Sequence, residues 1–122
     1  MSHSYKELIV WQKAIDAVTE IYKSTVSFPR EETYGLTSQM RRAAVSVASN
    51  IAEGQGRTTR GEFRQFLGQA RGSLLELETQ IVVAGNLGYF SGETVHLLME
   101  RTGEVSRLLH RLIQSLQPAT RN

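Results

Sequence analysis

Arginine is the residue type with the most chemistry to offer in this sequence, and it is concentrated. Between residues 41 and 71 stand six arginines, Arg41, Arg42, Arg57, Arg60, Arg64 and Arg71, against two acids, Glu53 and Glu62. Residues 1–40 and 72–122 each carry four basic and five acidic residues, so the net charge of +2 originates in the middle segment. Guanidinium groups recognise phosphate and carboxylate through paired N–H donors. Arg60, Arg64 and Arg71 fall along one side of a helix that starts near residue 60, and Arg57 precedes it. A helix start adds unpaired N–H groups and a positive dipole end. Arg57, Arg60 and Arg64 therefore read as an exposed anion site suited to phosphate. For Arg41, Arg42 and Arg71 two readings stand: further phosphate contacts, or ion pairs with Glu53, Glu76 or Glu78 of neighbouring helices. Two or three phosphate contacts give weak, salt-sensitive binding, which a ring of copies would multiply through avidity.

Other chemistries find little to work with. Gly56 to Gly61 matches GxxxxG, but Glu62-Phe63 follow where a phosphate loop needs Lys and Ser/Thr. A carboxylate there repels the phosphates that the lysine should hold. Gly54 and Gly56 begin a GxGxxG whose third glycine is Thr59, and no strand precedes it. His96 and His110 lie about 21 Å apart along one helix and cannot share a metal ion; His3 is terminal. Glu93 and His96 form one Glu-x-x-His, where a di-metal bundle needs two. Without cysteine there is neither a disulfide nor a thiolate nucleophile. Ser106 and His110 are one helical turn apart, but no strained turn presents the serine. No catalytic residue, cofactor or metal is expected.

The elements that must position the arginines are helices. Apolar residues recur at helical spacing over four stretches, about 4–27, 33–53, 60–87 and 92–116. The first carries Leu8, Trp11, Ala14, Ile15, Val18, Ile21 and Tyr22 on one side and stops at Phe28-Pro29. The second carries a core stripe of Leu36, Met40, Ala43, Ala44, Val47 and Ile51. It has a further apolar stripe of Val45, Ala48 and Ala52, with Arg41 at its end. A helix apolar on two faces is expected to be buried on two sides, so the second stripe points to a subunit contact. Gly54 and Gly56 read as the stop of this helix, and Thr59 with Glu62 as a capping box opening the next. In the third stretch Phe63, Phe66, Ala70, Leu74, Leu77, Ile81 and Ala84 form a near-heptad seam. Gly61, Gly68, Gly72 and Thr79 form a small-residue face fit for close approach of another helix. Gly88 closes this helix and Ser91 caps the fourth. There the seam is Val95, Leu98, Thr102, Val105, Leu109, Leu112 and Leu116, with Glu104 and Arg107 close enough to pair. From Pro118 onward the chain reads as a frayed tail. Four amphipathic helices with short joints and no strand signal make an all-α, antiparallel up-down-up-down four-helix bundle. At 122 residues a single domain is expected. No apolar run reaches membrane-spanning length and no leader is evident, which fits the cytoplasm. The pI of about 9.2 permits nucleic acid as a partner.

Several stretches resemble one bacterial family. They are WQKA from Trp11, the pattern FP..E.YGLTSQMRRAAVSVASNIAEG from Phe28 to Gly54, the following GR and EF..FL, and GSL.ELETQ...A..LGY ending at Tyr89. The family is the four-helix-bundle proteins encoded inside intervening sequences of large-subunit (23S) ribosomal RNA genes. It is similar to the accessory variability protein of diversity-generating retroelements. The resemblance implies a ring-shaped homopentamer with a basic surface that binds nucleic acid and a reverse transcriptase. It brings no established enzymatic activity and no catalytic residue. The family often has proline where this chain has Ala48.

The leading expectation is thus a non-enzymatic, oligomeric RNA- or DNA-binding scaffold. Arg57, Arg60 and Arg64 would contact phosphates, helped by Arg41, Arg42 and Arg71. Val45, Ala48, Ala52, Gly61, Gly68 and Gly72 would form the subunit interface. Base readout is not expected, because Phe63 and Phe66 belong to the core seam and no aromatic sits among the exposed arginines. The alternative is a protein-interaction module whose partner is a protein such as a reverse transcriptase, with nucleic-acid contact incidental.

Overall fold

Four α-helices account for most of the chain in the computed structural model, which describes residues 4–118: α1 (Ile9–Thr25), α2 (Leu36–Gln55), α3 (Arg60–Asn86) and α4 (Gly92–Ser115). Two short 3-10 turns, Tyr5–Glu7 and Arg30–Glu32, precede α1 and α2, and the described residues contain no strand. Each helix packs on its two neighbours in the cycle α1, α2, α3, α4, with no close backbone approach across either diagonal among the described residues. Contacts near opposite ends of partner helices fix the directions. Thr25 at the end of α1 meets Arg41 near the start of α2. Gly54 at the end of α2 meets Phe63 and Phe66 at the start of α3. Arg64 at the start of α3 meets Leu116 after α4. Lys13, early in α1, meets Glu104 in the second half of α4. Neighbours run antiparallel, so the expected all-α up-down-up-down bundle is what forms. No described helix is long and apolar enough to cross a membrane.

Local signals explain most boundaries. The Thr59 hydroxyl accepts from the Glu62 N–H at 3.1 Å and opens α3; the Ser91 hydroxyl accepts from the Thr94 N–H and opens α4. Gly88 stands at φ +78°, its N–H bonded to the Gly85 carbonyl and that of Tyr89 to the Ala84 carbonyl. These two bonds are a Schellman closure of α3. The α2 start is built differently. Gly35 supplies no side chain, and the Glu32 carboxylate reaches forward to accept the Leu36 N–H at 3.0 Å. A Cβ on Gly35 would come within 2.8 Å of that carboxylate. The other oxygen of Glu32 accepts from the Tyr89 hydroxyl at 3.0 Å, which ties the α1–α2 and α3–α4 connections together. Phe28 packs there against Tyr89 and Phe90.

Several expectations need correction. The first helix does not begin at residue 4: Leu8 is extended, and Tyr5 turns back edge-on against Trp11. Its buried line is Val10, Ala14, Ala17, Ile21 and Thr25; Ile15 and Tyr22, expected in the core, are exposed. Ile15 and Tyr22 lie outside this line, and Ala17 lies within it. Gly54 does not stop α2. It is a buried helical residue, and a Cβ there would lie 2.9 Å from the Phe63 ring and 3.0 Å from Phe66 Cβ. The helix runs on to Gln55. On α3, Leu67 is fully buried, whereas Phe63 and Phe66 are half-buried at the edge. Gly61, Gly68 and Gly72 have nothing within 4 Å of an added Cβ, so no helix of the same protomer approaches that face. Glu104 pairs with Lys13 rather than Arg107. His3 and the tail beyond Pro118 lie outside the described residues.

Two predictions follow from these contacts. Gly54→Ala lowers stability by about 1–3 kcal/mol, because the α2–α3 crossing has no room for a methyl group. Gly68→Ala on the open face raises protomer stability by up to about 1 kcal/mol through helix propensity alone. Equilibrium urea melts of both variants check the contrast. Tyr89 carries the second prediction. Its hydrogen bond to Glu32, its burial and the charges of Glu32 and Glu31 raise its pKa above the ordinary 10.0. A raised folded-state pKa contributes stability that is present below about pH 10 and lost as pH rises through the shifted value. The stability lead of the parent over Tyr89→Phe therefore narrows above pH 10; a lead that stays constant into strong alkali would contradict this.

Candidate nucleic-acid interface

The bundle does not gather the six arginines into one patch. Arg41 turns inward to α1. Its Nε donates to Thr25 Oγ1 at 3.0 Å, its Nη2 to the Tyr22 carbonyl at 3.3 Å, and its guanidinium lies 4.6 Å from the centre of the Tyr22 ring. Thr25 in turn donates to the Ile21 carbonyl at 2.7 Å. Arg41 therefore ties down the last turn of α1, an outcome outside both expectations for it. Arg60 and Arg64, one turn apart at the start of α3, point to the other end of the chain. Arg60 donates to the Ser115 carbonyl at 3.2 Å and Arg64 to the Leu116 carbonyl at 2.9 Å. The last carbonyls of a helix lack partners within it, and α4 has no basic residue in its own last turn. Two arginines from α3 fill that role and set positive charge against the negative end of the α4 dipole.

Arg57 is held from two sides. Its Nη2 lies 3.3 Å from the Glu53 carboxylate, and its guanidinium stacks 4.4 Å from the centre of the Phe66 ring. Phe66 thus supplies an aromatic partner beside an expected phosphate ligand, although the sequence placed it wholly in the core. Arg57, Arg60 and Arg64 all surround the α2–α3 joint, the one grouping the sequence anticipated. Glu62 occupies the α3 start, where its carboxylate contacts Thr59 at 3.1 Å and Thr58 at 3.4 Å.

Arg42 and Arg71 are exposed and, among the described residues, have no hydrogen-bond or ion-pair partner. The expected pairing of Arg41, Arg42 and Arg71 with Glu53, Glu76 or Glu78 does not occur: Glu53 takes Arg57, and Glu76 accepts from Gln80. Arg42 faces a polar groove of about 560 Å³ between α2 and α3, opposite Glu76. Its floor holds a hydrogen bond of 2.8 Å between the Ser46 and Ser73 hydroxyls, and Asn50 donates back to Ser46. One turn beyond Glu76, Gln80 Oε1 is buried without a protein partner.

The expected subunit-interface residues occupy two surfaces. Val45, Ala48 and Ala52 line an apolar groove of about 260 Å³ between α1 and α2, with Tyr5, Trp11, Ile15 and Val18 on its other wall. Ala48 is buried against α1 while Val45 is 40% exposed. Gly61, Gly68 and Gly72 lie on the open face of α3, beside exposed Leu75, Val82 and Val83. Trp11 and Val18 pack against the core as the sequence suggests and also line this groove, whereas Ile15, expected in the core, is exposed on the groove wall.

Comparison with known proteins settles the family. The model of the 23S rRNA-intervening sequence protein family matches residues 6–111. The chain belongs to that family. Among solved structures, it is similar to a 1.70 Å crystal structure of a protein of unknown function from the S23 ribosomal protein family of Bacteroides thetaiotaomicron VPI-5482. The two are 22% identical, with a TM-score of 0.79, over 87% of this chain and 99% of that one. At that identity the likeness concerns the fold. No curated protein matches the chain.

These roles separate in stability measurements. Arg41→Ala costs about 1–2 kcal/mol, because it removes the bonds to Thr25 and to the Tyr22 carbonyl and the contact with the Tyr22 ring. Arg60→Ala and Arg64→Ala cost about 0.5–1.5 kcal/mol each, because each leaves a carbonyl at the α4 end without its side-chain donor. Arg42→Ala and Arg71→Ala change stability by less than about 0.5 kcal/mol. Urea denaturation midpoints at constant m-value check the ranking.

Proposed function

We propose that this member of the 23S rRNA-intervening sequence protein family is a non-enzymatic, self-assembling scaffold that binds RNA or DNA through phosphate contacts. The observation that carries the reading is the charge balance after folding. Of the six arginines between residues 41 and 71, only Arg57 has a carboxylate partner among the described residues. Carbonyl caps do not neutralise a guanidinium, and each guanidinium has five N–H donors. Arg60 and Arg64 each give one donor to α4 and keep the rest. Around the α2–α3 joint Arg57, Arg60 and Arg64 outnumber Glu53 and Glu62, and Arg42 and Arg71 add unpaired charge along the bundle.

Self-association is supported by two apolar surfaces that differ from each other, the α1–α2 groove and the open glycine face of α3. Contact between unlike patches is head-to-tail and closes into a ring when the rotation permits. The family resemblance supports taking that ring as a pentamer. A ring repeats a weak basic surface around its axis, and avidity turns modest contacts into useful affinity.

The test joins binding with solution mass. Affinity for a structured RNA falls steeply with salt, and Arg57/Arg60/Arg64→Gln lowers the slope of log K against log salt by about 2–3. The Lys triple variant keeps most of the slope. Val45→Glu, which places a charge in the apolar groove, shifts the native mass toward the monomer and weakens binding. Salt-independent binding, or a monomeric parent, would sink the proposal.

A further inference from the structure

The α2–α3 groove has a composition that general phosphate attraction does not explain. Ser38, Arg42 and Ser46 recur every four residues along α2 and so share one face. Ser73 and Glu76 form the facing wall on α3, and Tyr34 stands at the mouth. Tyr34 is 96% exposed, so its ring contributes no burial to the fold. Arg42 has no protein partner among the described residues, and it does not pair with Glu76 although both line the groove. The groove's lining thus offers an exposed ring, a free guanidinium, a carboxylate and a row of hydroxyls.

From this we infer that the groove receives a single unstacked ribonucleotide of an RNA strand. Tyr34 offers a face for the base, because an exposed ring stacks any base. Arg42 takes the adjoining phosphate. Glu76 accepts the ribose 2′-hydroxyl, the group that separates RNA from DNA; a carboxylate in a site for phosphate alone would only repel. The Ser38, Ser46 and Ser73 hydroxyls add donors and acceptors along the groove. Its volume of about 560 Å³ falls in the range of small-ligand sites. The inference rests on the nucleic-acid reading above but assigns the contact to other residues than the α2–α3 joint.

Fluorescence anisotropy with a short labelled oligouridylate, and with the matching deoxyuridine oligomer, tests it. Tyr34→Ala weakens RNA binding about tenfold or more with little change in salt slope, whereas Tyr34→Phe keeps the affinity. Arg42→Gln lowers the slope by about 1. The ribose oligomer binds tighter than the deoxyribose one, and Glu76→Ala removes that difference. Thermal melts of the Tyr34 and Arg42 variants match the parent, since both residues are exposed and unpartnered; Glu76→Ala gives up its bond to Gln80, and its affinities are read well below its own melting temperature. If the parent binds RNA and Tyr34→Ala and Arg42→Gln bind equally well, the groove assignment is wrong while the scaffold reading stands. Equal affinity of the parent for both sugars removes the role of Glu76. If the parent binds neither oligomer nor the structured RNA, both readings fall together.

Discussion

The unpartnered carbonyls at helix ends are the constraint on which this bundle turns. Every α-helix leaves its last carbonyls without an internal donor. Where the chain offers a glycine in the left-handed region, as at Gly88, the backbone closes on itself. α1 and α4 have no such glycine after them. Their ends are served from outside, by Arg41 of α2 and by Arg60 and Arg64 of α3. Antiparallel order makes this feasible, because it sets the start of each helix beside the end of its neighbour. Three of the six arginines in the middle segment therefore serve the fold.

Serving the fold does not remove these arginines from function. A guanidinium bonded to a solvent-facing carbonyl keeps its full charge and most of its donors. The α4 carbonyls hold Arg60 and Arg64 in defined positions, so less side-chain entropy is lost when a second acceptor arrives. Arg57 is ordered in the same way by Glu53 and by the Phe66 ring. Arg41 differs: two of its groups are committed to Thr25 and Tyr22 across a half-buried contact, and moving it would uncap α1.

The sequence was legible where causes are local. Thr59 with Glu62, Ser91 and Gly88 act within a few residues of themselves, and their roles read directly from spacing. The four-helix architecture is equally plain, because four long periodic stretches leave few other ways to bury apolar stripes. Errors arose where size or distance decides. Ala17 was passed over for Ile15 and Tyr22, since a large side chain looks more like core than an alanine does. The face turned to the bundle is the line of Val10, Ala14, Ala17 and Ile21, to which Ile15 and Tyr22 do not belong. Gly54 reads as a helix stop by rule, yet its lack of a side chain serves Phe63 and Phe66 of the next helix. The capping partners of Arg60 and Arg64 lie more than fifty residues away in sequence, and no periodicity reports them. The family resemblance narrowed the architecture without touching these contacts.

The α2–α3 seam opens to solvent in a polar groove, whereas the groove between α1 and α2 is apolar. Ser46, Ser73 and Asn50 satisfy one another at its floor, so the hydroxyls cost little. Arg42 and Glu76 stay apart above them. An exposed ion pair between the two would contribute roughly 0–1 kcal/mol, so leaving them separate sacrifices little stability. The same separation leaves Arg42 unpaired, and Glu76, bonded through one oxygen to Gln80, keeps its other oxygen for a donor. A ligand with only negative charge satisfies Arg42 and is repelled by Glu76, and a cation does the reverse. A ligand with an anionic group and a neutral hydroxyl donor suits both at once. That asymmetry, set beside a ring as exposed as Tyr34, favours a ribose phosphate over a bare anion as the groove's occupant.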